Sequence, residues 1–425
     1  MRAGARGSRI GLSAARHVLM LGVAVWARNA AAQTPPTVHG VAGAVLAYDW
    51  SDVVPGRGGR SLGEIRLVRP TVMLEAGAWR RLRLVGMLNL EGATIPEGEL
   101  ALGDWGEGFV DRRHPHTYLH ELVLSATDLL GHLDGSGNVS LSAGKGFAPF
   151  GTDDPMVRPF LRFPVNHHLS QILERAVVIG AFRARAASAE VGLFNGDEPE
   201  RPGQWPRIGG RFGDSWAVRL TAYPQQTVEV QASYAEVHSP EHRPGAGTDQ
   251  TKWNLSARWS GPVQGHPVYG LVEWARTSEA AGFFVFHSLL AEGAWTAGRH
   301  RLQYRFERTE RPEEERLSGF RSLRPHLENS ILGTTRWTIH TAGYEIDALR
   351  TGWFRLRPLA ELSYGTISRV GGGVFDIRTV YGRDRFWSVS LGVRLGAGMD
   401  MHRMGPYGSM TGEEGTGHHH GGAVE

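Results

Sequence analysis

Hydrophobic and polar residues alternate along most of this chain, from about residue 38 to residue 395. In residues 299–308, for example, Leu302, Tyr304 and Phe306 alternate with arginine, glutamine and glutamate. Such alternation puts successive side chains on opposite faces of a β-strand, one face apolar and the other charged. The pattern predicts about sixteen strands, at residues 38–49, 64–77, 80–93, 116–128, 137–148, 175–185, 187–195, 215–223, 226–238, 250–260, 266–277, 282–295, 299–309, 336–347, 352–366 and 385–396.

The connections between these segments alternate between short and long. Turns of a few residues, such as 184–186 and 296–298, are followed by long polar loops. An even number of strands with short turns at one end and long loops at the other is typical of bacterial outer-membrane barrels. We therefore predict an all-β fold, a transmembrane antiparallel β-barrel in the outer membrane, with lipid as its outer partner. Its apolar faces would meet lipid and its charged faces would line the lumen.

Two local features refine this prediction. The alternation changes phase around Arg69-Pro70, which indicates a bulge or the end of a strand. Tryptophan is abundant and is expected in the aromatic girdles at the two membrane interfaces. The residues expected there are Trp253, Trp259, Trp274, Trp295, Trp337, Trp353 and Trp387.

Both ends of the chain differ from the alternating region. Residues 1–32 combine basic residues, a short apolar run and Ala30-Ala31-Ala32, which is the pattern of a secretory signal peptide. Residues 33–397 would form the barrel. Residues 398–425 lack strand alternation and are expected to form a flexible periplasmic tail rich in methionine and histidine. These boundaries give one barrel domain between two segments that are not part of it.

Charge and cysteine content agree with an exported barrel. The formal net charge of +3 becomes −2 without the five arginines of the leader, so the basic balance gives no reason to expect a nucleic-acid partner. The chain has no cysteine and thus no disulfides, which suits a fold closed by backbone hydrogen bonds. No serine-nucleophile elbow, phosphate-binding loop or cysteine nucleophile is present, so we expect no enzyme.

The third long loop contains the most specific motif. A Gly-Lys-x-x-x-Pro-Phe-Gly run leaves a predicted strand at residues 144–151, and Leu-Phe-Asn-Gly ends a later one at 193–196. In these runs the chain resembles the phosphate-selective porin O/P-like group of outer-membrane channels. The resemblance implies that loop 146–174 folds inward and narrows the pore, with Lys145, Arg158, Arg162 and His167 near the constriction. It also allows a homotrimer, as in related porins.

The predicted pore is lined by charges of both signs. Phosphate specificity in the resembled group is associated with clustered lysines, whereas Lys145 and Lys252 are the only lysines here. Phosphate is therefore not carried over, although arginines also pair well with oxyanions. The Arg/Glu rows are equally compatible with structural pairing between lumen strands. The residues predicted to line the constriction or bind solute are Lys145, Arg158, Arg162, Asp153, Asp154, His167, Arg81, Arg83, Glu121, Arg301 and Arg305.

Histidines suggest a second kind of site. A His-Pro-His-Thr-Tyr-Leu-His-Glu run covers residues 114–121, and His167-His168 lie in the third loop. Neutral imidazoles bind Zn²⁺ or Cu²⁺ well, so His116, His120 and His168 are candidate metal ligands. On a strand Glu121 takes the face opposite His116 and His120, so no single strand supplies three ligands. The alternative is that these histidines hydrogen-bond an inward-folded loop.

The tail could also bind metal. Met399, Met401, His402, Met404 and His418–His420 could chelate copper or zinc weakly, or form a solvated low-complexity end. Three functions are thus open. The leading one is a porin-like channel for passive diffusion of small polar or anionic solutes, narrowed by loop 146–174. The others are a barrel that binds or transports Zn or Cu, and a closed structural or adhesive barrel.

Overall fold

Sixteen long strands form one antiparallel sheet in the part of the chain that this computed structural model describes. The described residues are 37–53, 61–78, 81–95, 116–132, 137–152, 155–199, 202–206, 209, 211–238, 248–314, 316–318, 321–322, 331–371, 376–398 and 403–408. The strands are β1 (Thr37–Ser51), β2 (Leu62–Ala78), β3 (Leu82–Asn89), β4 (Leu119–His132), β5 (Gly137–Gly146), β6 (Arg175–Arg183), β7 (Ala187–Phe194), β8 (Ser215–Gln225), β9 (Val228–Val237), β10 (Gln250–Val263), β11 (His266–Glu279), β12 (Phe284–Ala297), β13 (His300–Glu314), β14 (Ile331–Ile346), β15 (Phe354–Val370) and β16 (Arg385–Gly398). Each corresponds to a predicted strand within a few residues, so the predicted all-β barrel is confirmed.

The sheet closes on itself because β1 pairs with β16. Their register runs from Val41 opposite Gly398 to Ser51 opposite Ser388. Every other long strand pairs with its neighbours in sequence. Closure leaves no strand edge, so all backbone groups of the wall can hydrogen-bond within the sheet, as a membrane requires. Two short additions lie at the connections: Leu349–Arg350 pairs with β15, and Arg316–Ser318 pairs with Arg321–Ser322.

Side chains on the two faces of the wall follow the predicted alternation. In β10, Trp253 and Leu255 are exposed on the outside, whereas Lys252 and Asn254 are buried on the inside. The outer face carries a belt of exposed large apolar side chains, which is the face that lipid covers. Members of this belt from around the barrel include Leu46, Leu74, Val191, Leu220, Leu255, Val272, Leu302 and Leu391. The barrel is therefore of the outer-membrane type.

Trp337 corrects one sequence prediction. It was expected in the lipid-facing girdle, but it is fully buried on the inner face of β14. Its ring packs edge-on against Tyr381 and Phe386, with centroids 5.2 and 5.5 Å away, and the guanidinium of Arg311 lies 5.0 Å from its centroid. The aromatic residues that cover it come from another part of the chain, residues 376–386. That contact could not be inferred from the position of Trp337 at the start of the predicted strand 336–347, and β14 begins five residues earlier, at Ile331.

The irregularity predicted at Arg69-Pro70 is a β-bulge. The register between β1 and β2 shifts between Gly43 and Val45, opposite Arg69-Pro70, and Arg69 has a φ of 52°. A bulge adds an unpaired residue and changes the direction of a side chain. Here it leaves Arg69 buried inside the barrel.

Helices are few and short in the described ranges. They are α1 (Glu91–Thr94), α2 (His167–Ser170) and α3 (Ile377–Tyr381), with 3₁₀ turns at Pro155–Val157 and Ala280–Gly282. None of the described helices has the length and apolar character needed to cross a membrane. The main apolar core lies inside the barrel, where Phe147, Phe150 and Phe163 of the third loop pack with wall residues.

Candidate functional site

Residues 147–152 and 155–174, the inward loop, leave β5 at the long-loop end and lie inside the barrel. The turn at Gly151 begins this path. Gly151 has a φ of 69°, and a Cβ built on it would lie 1.7 Å from the carbonyl oxygen of Ser170. Only glycine accommodates both the left-handed backbone and this close approach. The Gly-Lys-x-x-x-Pro-Phe-Gly run therefore ends on a residue that the fold requires.

Carboxylates of the wall hold the inward loop through its backbone. Glu361 on β15 accepts hydrogen bonds from the N–H groups of Leu161 at 2.5 Å and Arg162 at 3.3 Å. Glu307 on β13 accepts one from the N–H of Val165 at 2.7 Å. These N–H groups are buried and have lost water, so each carboxyl oxygen satisfies a donor that would otherwise stay unpaired. The acids expected to line an open pore are thus partly used to position the loop.

A third wall carboxylate, Glu273 on β11, holds loop side chains. Its two oxygens accept hydrogen bonds from Asn166 Nδ2 at 2.8 Å and Thr152 Oγ1 at 2.7 Å. Together with Glu307 and Glu361 it places contacts along the loop on three different strands. The loop therefore spans the lumen from β5 to the opposite wall.

Arg69 contacts the loop from the bulge in β2. Its Nη2 donates to the carbonyl of Leu161 at 2.5 Å, its Nη1 donates to that of Met156 at 3.4 Å, and its guanidinium lies 4.8 Å from the ring centroid of Phe163. The backbone N–H of Arg69 donates to Glu91 at 3.0 Å. Sequence reasoning missed this residue as part of the site. The phase change at Arg69-Pro70 was the available signal, since bulges often redirect a functional side chain.

Two arginines predicted at the constriction, Arg158 and Arg162, lie on the loop and are buried. Arg158 Nη2 donates to Thr152 at 2.7 Å, and its Nη1 is 3.7 Å from Glu292. Arg162 Nε donates to Ser390 at 2.8 Å, and its Nη2 is 3.4 Å from Asp49. Both guanidiniums are therefore engaged in buried ion pairs.

Arg305, predicted from β13, belongs to the same network. Its Nε donates to Glu292 at 2.7 Å and its Nη1 donates to the carbonyl of Arg162 at 2.8 Å. The ring centroid of Phe160 lies 4.1 Å from its guanidinium. Pairing of arginines with glutamates between adjacent lumen strands, the alternative considered for the Arg/Glu rows, is observed here and at Arg219–Glu190.

The remaining predicted pore residues are not gathered in one place. Arg81 and Arg83 lie at the short-turn end of β3, where Arg83 is 2.6 Å from Glu75. Arg301 lies at the short-turn end of β13. Glu121 is buried on β4 and contacts Tyr407. Asp153 and Asp154 lie outside the described residues.

Arg301, Arg357 and Arg394 form a group that we call the arginine cluster, around the carboxylate of Glu345. Their closest nitrogens lie 3.1, 3.2 and 3.0 Å from its oxygens. The three arginine side chains are 13–17% exposed, whereas Glu345 is 2% exposed. Three guanidiniums around one carboxylate leave excess positive charge on the accessible side. Arg394 also donates to the carbonyl of Pro159 at 2.9 Å, which joins the cluster to the inward loop.

Residues 403–408, the C-terminal segment, also lie inside the barrel. For these residues the prediction of a flexible periplasmic tail was wrong. Arg403 pairs with Glu229 at 2.5 Å, and Arg219 donates to the carbonyl of Gly405 at 3.2 Å. Of the rest of the predicted tail, Gly398 is the last residue of β16, and residues 399–402 and 409–425 lie outside the described residues. Strand alternation ends before this segment, so its place could not be predicted. Inside the barrel its arginine and its carbonyl groups find buried partners on the wall.

Tyr407 joins the C-terminal segment to the inward loop. Its hydroxyl donates to Glu121 and accepts from the N–H of Phe147 at 3.2 Å. Burial and the neighbouring Glu121 carboxylate raise the pKa of Tyr407 well above its ordinary value. The phenol therefore keeps the proton that it donates.

The histidines predicted as metal ligands are partly brought together. His116 and His120 are buried with ring centroids 4.7 Å apart, and His167 is 6.2 Å from His116. His168 adjoins His167 rather than this pair, and its carbonyl accepts from Lys252 at 2.7 Å. The expected group of His116, His120 and His168 is thus replaced by His116, His120 and Glu174.

Glu174, the last residue of the loop, was not among the predicted ligands. Its Oε1 lies 2.6 Å from His120 Nδ1 and accepts from Thr117 N at 2.9 Å, and Lys145 Nζ lies 4.0 Å away. Burial alone would raise the pKa of Glu174, but the hydrogen bond from His120 and the charge of Lys145 hold that pKa below its ordinary value. The group is therefore a carboxylate. Lys145, predicted at the pore constriction, is directed to this carboxylate and to Thr117.

Comparisons with known proteins found solved structures that share little sequence identity with this chain. No family model matches the chain, and no curated protein matches it. An anion-selective porin from Comamonas acidovorans has 9% identity and a TM-score of 0.49, and the match covers 85% of this chain and 100% of that one. OmpT of Vibrio cholerae, in a trimer form, has 12% identity and a TM-score of 0.46, and the match covers 85% of this chain and 100% of that one. OccK2 of Pseudomonas aeruginosa, in complex with glucuronate, has 12% identity and a TM-score of 0.37, and the match covers 85% of this chain and 98% of that one.

Similarity at this level does not extend to a solute, a partner or a residue role. The resemblance to the phosphate-selective porin O/P-like group and the homotrimer both remain predictions.

Proposed function

We propose that this protein is a porin-like channel of the outer membrane for passive diffusion of small polar or anionic solutes. A closed barrel with an apolar outer face and a charged interior supports this proposal. A sixteen-stranded barrel is wide enough for an aqueous lumen. The inward loop and the C-terminal segment occupy part of that lumen, so they would set the width of the path. The solute gradient would drive transport.

The arginine cluster is the observation that supports an anionic preference. Arg301, Arg357 and Arg394 surround one carboxylate and remain partly accessible. Guanidinium groups bind carboxylate, phosphate and sulfate through paired hydrogen bonds. An anion entering the lumen would therefore meet excess positive charge beside the loop. Arg158, Arg162 and Arg305 would act differently, by holding the loop through buried ion pairs.

Single-channel recording in a planar bilayer under a salt gradient tests this function. The full-length protein should conduct and show a reversal potential that favours anions. Arg357→Ala with Arg394→Ala should shift that potential towards zero, because two of the three accessible positive charges are lost. Arg308→Ala, on the exposed outer face of β13, is the matched control and should leave the potential unchanged.

Two results would contradict the proposal. A barrel that folds but carries no current is not a channel. A conducting barrel whose reversal potential is the same in the double variant does not select through the arginine cluster.

A further inference from the structure

His116, His120 and Glu174, the histidine cluster, come from three places in the chain. His116 precedes β4, His120 lies in β4, and Glu174 ends the inward loop. One ligand atom from each lies within 4.8 Å of the others. All three residues are at least nine-tenths buried, with exposures of 3, 0 and 5%. We propose that the histidine cluster is a binding site for a divalent transition-metal ion, Zn²⁺ or Cu²⁺.

The ligand chemistry fits these ions. Two imidazoles and one carboxylate form a set that Zn²⁺ accepts, and imidazole also suits Cu²⁺. Mg²⁺ and Ca²⁺ prefer oxygen ligands, so they are poor occupants. The ring of His167 lies 6.2 Å from that of His116, on the loop side of the cluster. It is the nearest further imidazole in the described part of the chain.

The buried Nε2 atom of His116, which lacks a hydrogen bond, is an independent indication that this cluster binds a ligand. This atom makes no hydrogen bond to any described residue. The nearest acid is Glu91, whose Oε2 is 3.8 Å away, beyond hydrogen-bond range. A buried polar atom without a hydrogen bond costs free energy. A metal bond would satisfy this nitrogen, and Glu91 would add a second negative charge nearby.

Glu174 and His120 already face each other across the space that an ion would take. The carboxylate Oε1 lies 2.6 Å from His120 Nδ1. An ion bonded to both atoms would replace this hydrogen bond, with the imidazole proton on Nε2 and the Nδ1 lone pair directed to the metal.

Lys145 opposes the cation. Its Nζ is 4.0 Å from Glu174 Oε1, so a bound ion and the ammonium group would repel each other. The lysine also donates to Thr117, which gives it a second partner when Glu174 turns to the metal. Replacing Lys145 should therefore strengthen binding, an effect that a purely structural hydrogen-bond network would not produce.

Zn²⁺ titration by calorimetry tests the site, with the Co²⁺ visible spectrum as a second readout. The full-length, detergent-folded protein carries His402, His418, His419 and His420 as alanines, so that tail histidines do not contribute. This parent should bind one Zn²⁺ per chain. His116→Ala and His120→Ala should each weaken binding by about a hundredfold, and Glu174→Gln by about 10–100-fold. Lys145→Met should tighten it.

His238→Ala is the matched control. His238 forms an exposed pair with Asp249 at 2.5 Å, so the His238→Ala variant loses a histidine–carboxylate contact outside the cluster. Folding of each variant is checked by the change in its electrophoretic mobility on heating. If His116→Ala does not fold, His116→Gln is used in its place. Absence of one-to-one binding in the parent, or equal affinity in the parent and the folded His116 and His120 variants, would overturn the site. Conduction does not enter these readouts, so the result is independent of the channel function.

Discussion

The carboxylate of Glu361 accepts a 2.5 Å hydrogen bond from the backbone N–H of Leu161, although the two residues are 200 positions apart. One oxygen also accepts from Gln303 at 3.0 Å, and the other accepts from Arg162 N at 3.3 Å. Both oxygens thus face N–H donors. This contact fixes the middle of the inward loop against β15 and decides where the loop crosses the lumen.

Removing the wall carboxylates that hold the inward loop should make the loop more mobile. In Glu361→Gln with Glu307→Gln, the amide nitrogen at position 361 would face an N–H donor whichever way it turns, because both oxygens of Glu361 accept. Each lost hydrogen bond is worth about 0.5–1.5 kcal/mol. Trypsin can cut after Arg162, whereas Arg158 is protected by Pro159. We expect cleavage at Arg162 in the folded barrel to be about tenfold faster or more in the variant.

Glu75→Gln is the control for this experiment. Glu75 is a wall carboxylate of β2 that pairs with Arg83 at the short-turn end of the barrel. Its variant should be cut at the wild-type rate. Equal cleavage of all three proteins would mean that the wall carboxylates do not hold the loop.

Deleting residues 399–425 should increase single-channel conductance. The C-terminal segment lies in the lumen and contacts both the wall and Phe147 at the start of the loop, so its loss would widen the path and leave Glu121 and Glu229 without Tyr407 and Arg403. Deletion of 409–425 alone is the matched control, because it keeps residues 403–408. A conductance that is the same in both truncated proteins and in the full-length protein would show that the segment does not obstruct the pore.

Charge on the lipid face should destabilise the barrel according to depth. Leu391 lies in the middle of β16 and is 50% exposed, and Trp387 lies near its long-loop end and is 47% exposed. Leu391→Arg should cost about 2–4 kcal/mol and Trp387→Arg about 0–1 kcal/mol. Urea unfolding from liposomes measures both values. A larger loss for Trp387→Arg than for Leu391→Arg would contradict the depths inferred from strand position.

The strands could be predicted because their cause is local. A strand between lipid and lumen must alternate apolar and polar residues, and residues 252–259 follow this rule throughout. The rule did not predict the burial of Trp337, since a tryptophan near the end of a predicted strand suits either the membrane interface or a buried position. Tyr381 and Phe386 decide between them, and they approach only in the folded barrel.

The candidate site could be predicted less well. Residue types indicated the importance of the third loop and of His116 and His120. They did not show that Arg158 and Arg162 form buried ion pairs, because Asp49 and Glu292 are distant in sequence. Glu174, Arg69 and Tyr407 were missed for the same reason, since each acts through a partner on another strand or loop.

The alternation of residue types is sufficient to predict the barrel, its strands and the direction of most side chains, because lipid and water impose a period of two on each strand separately. It does not predict which charges meet in the lumen, where the inward loop crosses it or that residues 403–408 lie inside. Those outcomes depend on the pairing of β1 with β16, which brings the first and last strands and the inward carboxylates of the described strands around one enclosed space.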